Sequence, residues 1–543
     1  MAAWAWCESF LAFAVRYPEI LLAIVCFFIV SHMKRGHRTP VNWPVVGMVP
    51  YVFTNAGNFH DWCTDVLRAT GCTFVFKGPA GFSGDVLLTC DPANVNHVFN
   101  VNFGNYPKGG GFSEIFDILG DGIFNADHES WRFQRRKAHA LLNDRRFRSF
   151  VRITSHDKVK RGLIPLLDHL AEKGDVLDLQ DVFMRLTFDV TCILIFGIDP
   201  GCLAIGFPSV SFAKAIDEAE ESLFFRHVAP KSWKWVRYHS EKKLQSAWKT
   251  IDHFIAQYVS LRKEEKDDQK KKRKNHDPAA GNNNDDQEEE NSTTSSTTYN
   301  LLSSYLDCEM EACELGLDFD KFLRDTTLNL MVAGRDTTSS ALTWFFWLLS
   351  KNPNVEAKIL EELHETQYYS YNYTSFDQQA GHHHHDTSSS LIYLHAALLE
   401  SLRLFPPVPF EHKGVLKPDI LPSGHRVHRR RMVLFSLYAM GRMESIWGKD
   451  CMEFRPERWI SDISGKIRHE PAYKYLVFNC GPRTCLGKDM ALTQLKAAAA
   501  AIISNFHVEV LKGHVARPKL SIILHMKDGL MVRVTKRSIK LRS

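Results

Sequence analysis

Residues Phe478 to Gly487 read FNCGPRTCLG, two cysteines five apart in a run with two glycines, a proline and an arginine. Such a run can be a metal site, a redox pair or a turn. A C-x4-C spacing opens one kind of iron–sulfur site, but that site needs a further cysteine two residues on, and here Leu486, Gly487 and Lys488 follow. A reactive disulfide pair is ordinarily C-x-x-C, which Cys480 and Cys485 do not form. What remains is one useful cysteine, Cys485, in a glycine-flanked loop that feeds the helix expected from Lys488. A thiolate there meets unpaired backbone N–H groups at the positive end of a helix dipole, which lowers its pKa and moderates its electron donation. Gly481 and Gly487 let the backbone approach a flat ligand, and Arg483 can pair with a carboxylate of that ligand. The residues permit a haem–thiolate site.

Three other patterns gain meaning only beside that loop. AGRDTT, Ala333 to Thr338, places hydroxyls in the middle of a helical stretch, where a threonine can bond a carbonyl one turn back. Alone, such a triplet is more often a polar face or a cap. Glu400 and Arg403 stand three apart on one helix face, a pairing common on surface helices. Trp131 and Arg135, in WRFQRRK, are i and i+4 on another helix, which an exposed amphipathic helix would also explain.

The elements that must hold these residues are mostly helices. The spacing of apolar positions predicts a long helix from Asp320 to just before Pro353, a second across LIYLHAALLESLRLF stopped at Pro406, and a third from Lys488 through the alanine run. SIILHMKDGLMVRVTKR suggests a hairpin turning at Lys527, Asp528 and Gly529. The fold class is mainly α with minor β-sheets. At 543 residues, 45% hydrophobic and 24% charged, the chain can bury a large core. A net charge of +5, spread without a basic face, gives nucleic acid no footprint, and a small-molecule partner is expected. Twelve cysteines lie scattered, which suits a reducing compartment.

The chain divides into an N-terminal anchor (1–33), a basic, proline-rich hinge (34–50) and one catalytic domain (51–543). ILLAIVCFFIV, from Ile20, has only eleven unbroken apolar residues, but extension to Met33 and back through FLAFAV makes a tilted membrane span possible. The leading MAAWAWCES is not basic, which argues against a cleaved signal peptide, and Lys34, Arg35 and Arg38 place the downstream chain on the cytoplasmic side. Pro40, Pro44 and Pro50 stiffen the connector. Two biased stretches, 263–298 and 367–390, are expected to be disordered surface inserts, because blocky charge and few apolar residues leave nothing to offset their ordering entropy. His382 to His385, within the second, receive no function.

Phe478, Gly481, Arg483, Cys485 and Gly487 match position by position the F-x-x-G-x-R-x-C-x-G signature of the cytochrome P-450 family, and the chain from Pro40 onward resembles that family. AGRDTT resembles its oxygen-binding motif. Glu400 and Arg403, with Arg458 in FRPERW, resemble its Glu-Arg-Arg brace, to which a structural role is assigned. The resemblance implies the family's fold with an N-terminal membrane anchor, and haem b held between the long helix and the cysteine loop. Cys485 would be the axial iron ligand; Arg483, Phe478, Trp131 and Arg135 would bind the cofactor; Asp336 and Thr337 would relay protons. It further implies dioxygen as co-substrate, electrons from NADPH through a separate NADPH–cytochrome P-450 reductase, a monomer, and a place on the endoplasmic reticulum membrane facing the cytoplasm. Cys480, where smaller or apolar residues are common in the family, is expected to be buried.

Residues Val101 to Ala138, AGRDTT and PPVPFEHK look like the plant clan that hydroxylates fatty acids and alkanes, most like its mid-chain alkane hydroxylases. An alkyl chain has no polar handle, so an apolar channel must position it by shape; Val332, Ala333, Val408, Phe410 and Leu524 are the expected lining. Two other readings keep the fold: a peroxide-rearranging isomerase or dehydratase, and a non-catalytic haem-binding protein. The intact Asp336–Thr337 pair favours monooxygenation over both.

Overall fold

The structure, a computed structural model, describes residues 39–43, 46–79, 85–228, 234–275, 300–366, 391–429 and 431–537, with Glu19, Leu22 and Cys26. The expected anchor, apart from those three residues, lies outside the described residues, as does the whole of 367–390. Among the described residues no helix is long and apolar enough to cross a membrane. Of the connector, Met48 and Val49 are buried against the domain.

Seven helices carry the architecture of the site: α1 (His128–Asn143), α2 (Leu179–Phe196), α3 (Ser211–Val228), α4 (Lys234–Asn275), α5 (Phe319–Lys351), α6 (Ile392–Leu404) and α7 (Lys488–Asn505). The long one forms where expected. The Asp318 side chain accepts from Lys321 N at its start, and Asn352 and Pro353 end it. Its 33 residues span roughly 50 Å at 1.5 Å per residue. It is buried on nearly every side because α2, α6 and α7 pack around it. Gly334 sets the closest approach to α2: a Cβ there would lie 2.8 Å from Thr191 Oγ1. Beyond α2, α3 and α4 pack together, joined by Arg226 to Glu241 and Lys243 to Glu221.

Among the described residues nine strands make three small sheets: β1 (Thr73–Phe76), β2 (Val86–Thr89), β3 (Val176–Asp178), β4 (Phe410–Lys413), β5 (Asp419–Ile420), β6 (Arg426–Val427), β7 (Met432–Ser436), β8 (Phe506–Val510) and β9 (Met531–Lys536). The first has the order β1-β2-β7-β4, with β2 and β7 parallel and the outer pairs antiparallel. The second is β3-β9-β8, antiparallel throughout, and the third is the pair β5-β6. The main apolar core fills the helical part, with Phe183 stacked on Phe346 at 5.5 Å, and a second core lies under the first sheet, where Phe99 meets Phe435 at 4.9 Å.

Two expectations are corrected here. Residues 263–275, expected to be disordered, continue α4, held by Lys263 to Asp320 and by Lys266 to Asp307 at 2.6 Å. Blocky charge is no obstacle to helix where the residues are lysine and glutamate and a folded neighbour offers counter-ions. The C-terminal hairpin does not form as written either. Only β9 of that stretch is a strand; it pairs with β8 and β3, while 521–526 keeps one bridged pair, Pro518 with Met526. The turn at Lys527 to Gly529 exists, Gly529 having φ +67°, but the arm before it lines the cavity instead of pairing.

Candidate functional site

A cavity of about 1050 Å³ lies between α5 and the cysteine loop, and the Cys485 side chain opens into it. The loop is held in shape by its own backbone. Cys485 N–H donates to Phe478 O at 2.7 Å, Thr484 Oγ1 donates to Gly481 O at 2.7 Å, and Asn479 and Gly481 both take positive φ. At Gly481 a side chain is impossible twice over: φ is +64°, and a Cβ would collide with the Phe99 carbonyl. Gly487 then caps α7. Burial pushes the Cys485 thiol up from its ordinary pKa, while the Gly487 amide, Arg135 and Lys488 pull the other way. A bound cation would reverse that balance, since a coordinating thiol is deprotonated outright. Cys480 is buried, as expected, and neither Cys480 nor Cys485 is in a disulfide.

The remaining site residues come together around the same space. Phe478, Arg483, Trp131, Arg135 and Thr337 all line the cavity. The Arg483 guanidinium lies 4.7 Å from the Trp131 ring centre and donates to Asp127 Oδ1 at 2.7 Å and Ala126 O at 2.7 Å. Asp127 starts α1 but does not cap it; its carboxylate is taken by Lys108 N, Gly109 N and Arg483. Asp336 is the exception. It is fully buried on the side of α5 that faces away from the cavity, whereas the Thr337 hydroxyl, donating to Ala333 O at 2.7 Å, faces in.

A flat ligand carrying two carboxylates fits the charge of this place. Beside Arg135 and Arg483 stand two lysines that belong to no motif, Lys108 and Lys413. Lys108 pairs with Glu411 at 2.6 Å. Lys413 is wholly buried, sits 4.7 Å from the Phe99 ring centre, and has no hydrogen-bond partner; burial and Lys108 pull its pKa down to about 7. The Arg483 Nε is likewise unpartnered. Arg135, Arg483, Lys108 and a weakly basic Lys413 thus stand against two carboxylates, Glu411 and Asp127, and positive charge is left without a full counter-charge. An isolated buried charge is costly without a partner, so a bound ligand bringing two carboxylates would be matched here.

The brace is present in full. Arg403, 1% exposed, donates to Glu400 Oε2 and Oε1 at 2.8 Å each, and to the carbonyls of Gly441, Cys451 and Glu453. Glu400 also accepts from Arg458 Nε at 3.3 Å, Arg455 N at 3.1 Å and Trp459 Nε1 at 2.9 Å. Trp447, Trp459 and Tyr475 pack over this knot, and Phe478 packs on them, which ties the brace to the cysteine loop.

Of the expected substrate lining, Val332, Ala333, Val408 and Phe410 face the cavity. Leu524 does not. Its N–H donates to Pro407 O at 2.8 Å and its carbonyl accepts from Ser340 and Trp344, so it turns into the core, and Ile522 and Ile523 of the same arm line the cavity instead. His227 and His412 add two cavity-lining rings, held neutral by burial, that no motif announced.

The family model described as Cytochrome P-450 matches residues 38–533. Noroxomaritidine synthase from Narcissus aff. pseudonarcissus MK-2014 is 43% identical over 547 residues, covering 98% of this chain and 99% of the relative. Alkane hydroxylase MAH1 from Arabidopsis thaliana is 41% identical over 534 residues, covering 97% of this chain and 100% of the relative. Cytochrome P-450 86B1, also from Arabidopsis thaliana, is 40% identical over 544 residues, covering 98% of this chain and 92% of the relative.

Proposed function

The chain belongs to the cytochrome P-450 family of haem b monooxygenases, which use dioxygen and electrons from NADPH delivered by a reductase, and from that membership we propose that it hydroxylates a long aliphatic chain, an alkane or a fatty acid, in plant wax or lipid metabolism. The observation that supports the substrate class is the lining of the cavity beside Thr337: Leu330, Val332, Val408, Ile522 and Ile523 offer shape and no charge. Similarity alone does not choose, because relatives with two different printed activities stand at nearly equal identity. The overall stoichiometry is R–H + O2 + NADPH + H⁺ → R–OH + H2O + NADP⁺. We further assign the protein to the endoplasmic reticulum membrane through residues 1–33, with the catalytic domain on the cytoplasmic side and acting as a monomer.

Haem b, once bound, supplies the centre at which dioxygen is activated by two electrons and two protons. The chain does the rest. Cys485 Sγ would hold the iron, Arg483, Arg135 and Lys108 would neutralise the carboxylates, and Trp131 and Phe478 would bound the ring. The apolar wall excludes water and leaves the alkyl chain to be oriented by contact alone. Thr337 keeps a proton at Oγ1 inside the cavity, and Asp336, one residue away on the far face of α5, supplies it.

In Thr337→Ala, NADPH oxidation should continue with peroxide released in place of product, and product formation should fall by roughly 10²-fold, the lower end of what a positioned proton donor contributes. Unchanged coupling would remove Thr337 from the relay. For the substrate, membranes carrying the protein, a reductase and NADPH are incubated with a long alkane or a long fatty acid. A hydroxylated product from either supports the reading; an intact thiolate spectrum with neither turned over sinks it.

A further inference from the structure

Two imidazoles interrupt the apolar wall of the cavity. His227, near the end of α3, and His412, on β4, have ring centres 6.3 Å apart. Phe112 makes a T-shaped contact with His412 at 5.4 Å, Phe116 makes one with His227 at 5.4 Å, and the two phenyl rings stack on each other at 4.3 Å, so the four rings close into one cup. All four line the cavity. The phenyl rings hold the imidazoles in place but offer them no hydrogen bond.

The hydrogen bonding of both imidazoles is incomplete. His227 Nδ1 lies 3.1 Å from Leu223 O; a carbonyl only accepts, so Nδ1 carries the proton, and Nε2 of the neutral ring is an acceptor without a partner among the described residues. His412 is 5% exposed and makes no hydrogen bond among the described residues, its Nδ1 being buried without a partner. Its neutral ring therefore has one N–H and one lone pair to offer. Burial keeps both rings neutral: it lowers His227 to about 4 and His412 well below its ordinary range, where His227, Lys108 and Lys413 add to the fall. A buried donor or acceptor left unpaired is costly. The charged neighbours are already matched or turned away: Arg226 binds Asp117 at 2.6 Å and Glu241 at 2.7 Å, Lys108 binds Glu411 at 2.6 Å, and Lys413, next along β4, lies over the Phe99 ring.

The unmade bonds specify the group that completes them. An alkane has nothing to give. A carboxylate or an ether oxygen only accepts, which leaves His227 Nε2 without the donor it needs, and a carboxylate also brings a charge that no free cation answers. A hydroxyl does both, donating to His227 Nε2 and accepting from the His412 N–H, and two bonds of about 2.9 Å each suit one oxygen set between rings whose centres are 6.3 Å apart. We propose that His227 and His412 form a hydroxyl-binding subsite, and that the preferred substrate is an aliphatic chain already carrying a hydroxyl, gripped there while a carbon farther along the chain is oxidised. The proposal rests on the aliphatic reading given above. The balance becomes HO–R–H + O2 + NADPH + H⁺ → HO–R–OH + H2O + NADP⁺, and the position of the second oxygen is measured from the first.

Binding is read from the shift of the haem absorption when the full-length holoprotein is titrated with an alkane, a primary alcohol, the methyl ether of that alcohol and a fatty acid, all of one chain length. The wild type should bind the alcohol roughly tenfold more tightly than the ether or the acid, as two buried hydrogen bonds of ordinary strength require. In His412→Phe and in His227→Phe, which keep a flat ring and remove its nitrogens, that ratio should fall to about one. In turnover with alcohols of increasing length, the wild type should place the second oxygen a fixed number of carbons from the first, and His412→Phe should spread it along the chain, which a ring that merely fills space would not cause. Should neither variant fold, the wild-type ratio of alcohol to ether decides alone. Equal affinity for alcohol and ether, or a preference that persists in both variants, overturns the subsite, and a shift with the alkane then leaves the aliphatic reading standing. No shift with any of these chains overturns that reading and the subsite with it.

Discussion

Replacing Cys485 by serine leaves a protein whose reduced, carbon monoxide-bound spectrum lacks the thiolate signature and which has no detectable monooxygenase turnover. The loop should survive the change, since its shape rests on the Cys485 N–H to Phe478 O bond, the Thr484 to Gly481 bond and the positive φ of Asn479 and Gly481, none of which uses the sulfur. Loss of the signature with retained fold is therefore the expected result, measured by the difference spectrum beside circular dichroism. Cys480 offers no rescue, being 1% exposed with its thiol pushed up to about 12 by burial. A serine variant that keeps the thiolate spectrum would place the iron on another sulfur.

Glu400→Ala should be the most damaging substitution far from the cavity. It removes the acceptor of Arg403, Arg458, the Arg455 N–H and the Trp459 indole in one step, and strands a guanidinium that is 1% exposed. Breaking a buried pair by deleting one partner costs about 3–5 kcal/mol. The same deletion at the exposed Glu129–Arg132 pair should cost about 0–1 kcal/mol. Denaturant unfolding of the two variants compares them directly, and the Glu400 variant should also retain less haem, because Trp459 and Tyr475 support Phe478. Equal stability losses would show that the brace is ornamental.

The parts legible in the sequence are those with strong local causes. The long helix is fixed by Asp318 at one end and Pro353 at the other, and the cysteine loop by Gly481, where no side chain fits. The roles of Cys485 and the brace can be read only because several weak motifs occur together in one order. The illegible parts depend on distant partners. The sequence 263–275 is polar enough to look disordered, yet it continues a helix whose Lys263 and Lys266 pair with Asp320 and Asp307 of distant segments. Alternation in a strand would put Leu524 in the cavity; the arm is not a strand, and main-chain bonds to Pro407 and from Ser340 turn the leucine inward. Lys413 carries no signal beyond its place at the end of β4, since an unpaired buried lysine is visible only once Phe99, Glu411 and Arg483 have been brought around it. Asp336 reads in the sequence as a group in the site, whereas the site holds only its neighbour and the acid heads a separate cluster behind the helix.

The origin of the oxygen in the product decides between monooxygenation and every other chemistry open to this fold. Incubation of the protein with reductase, NADPH and an aliphatic chain under isotopically labelled dioxygen should give an alcohol carrying one labelled atom, with no product when NADPH is left out. Product formed without reductant from a fatty hydroperoxide, or an alcohol whose oxygen derives from water, would contradict monooxygenation and move the protein to the peroxide-rearranging chemistry that the same fold supports.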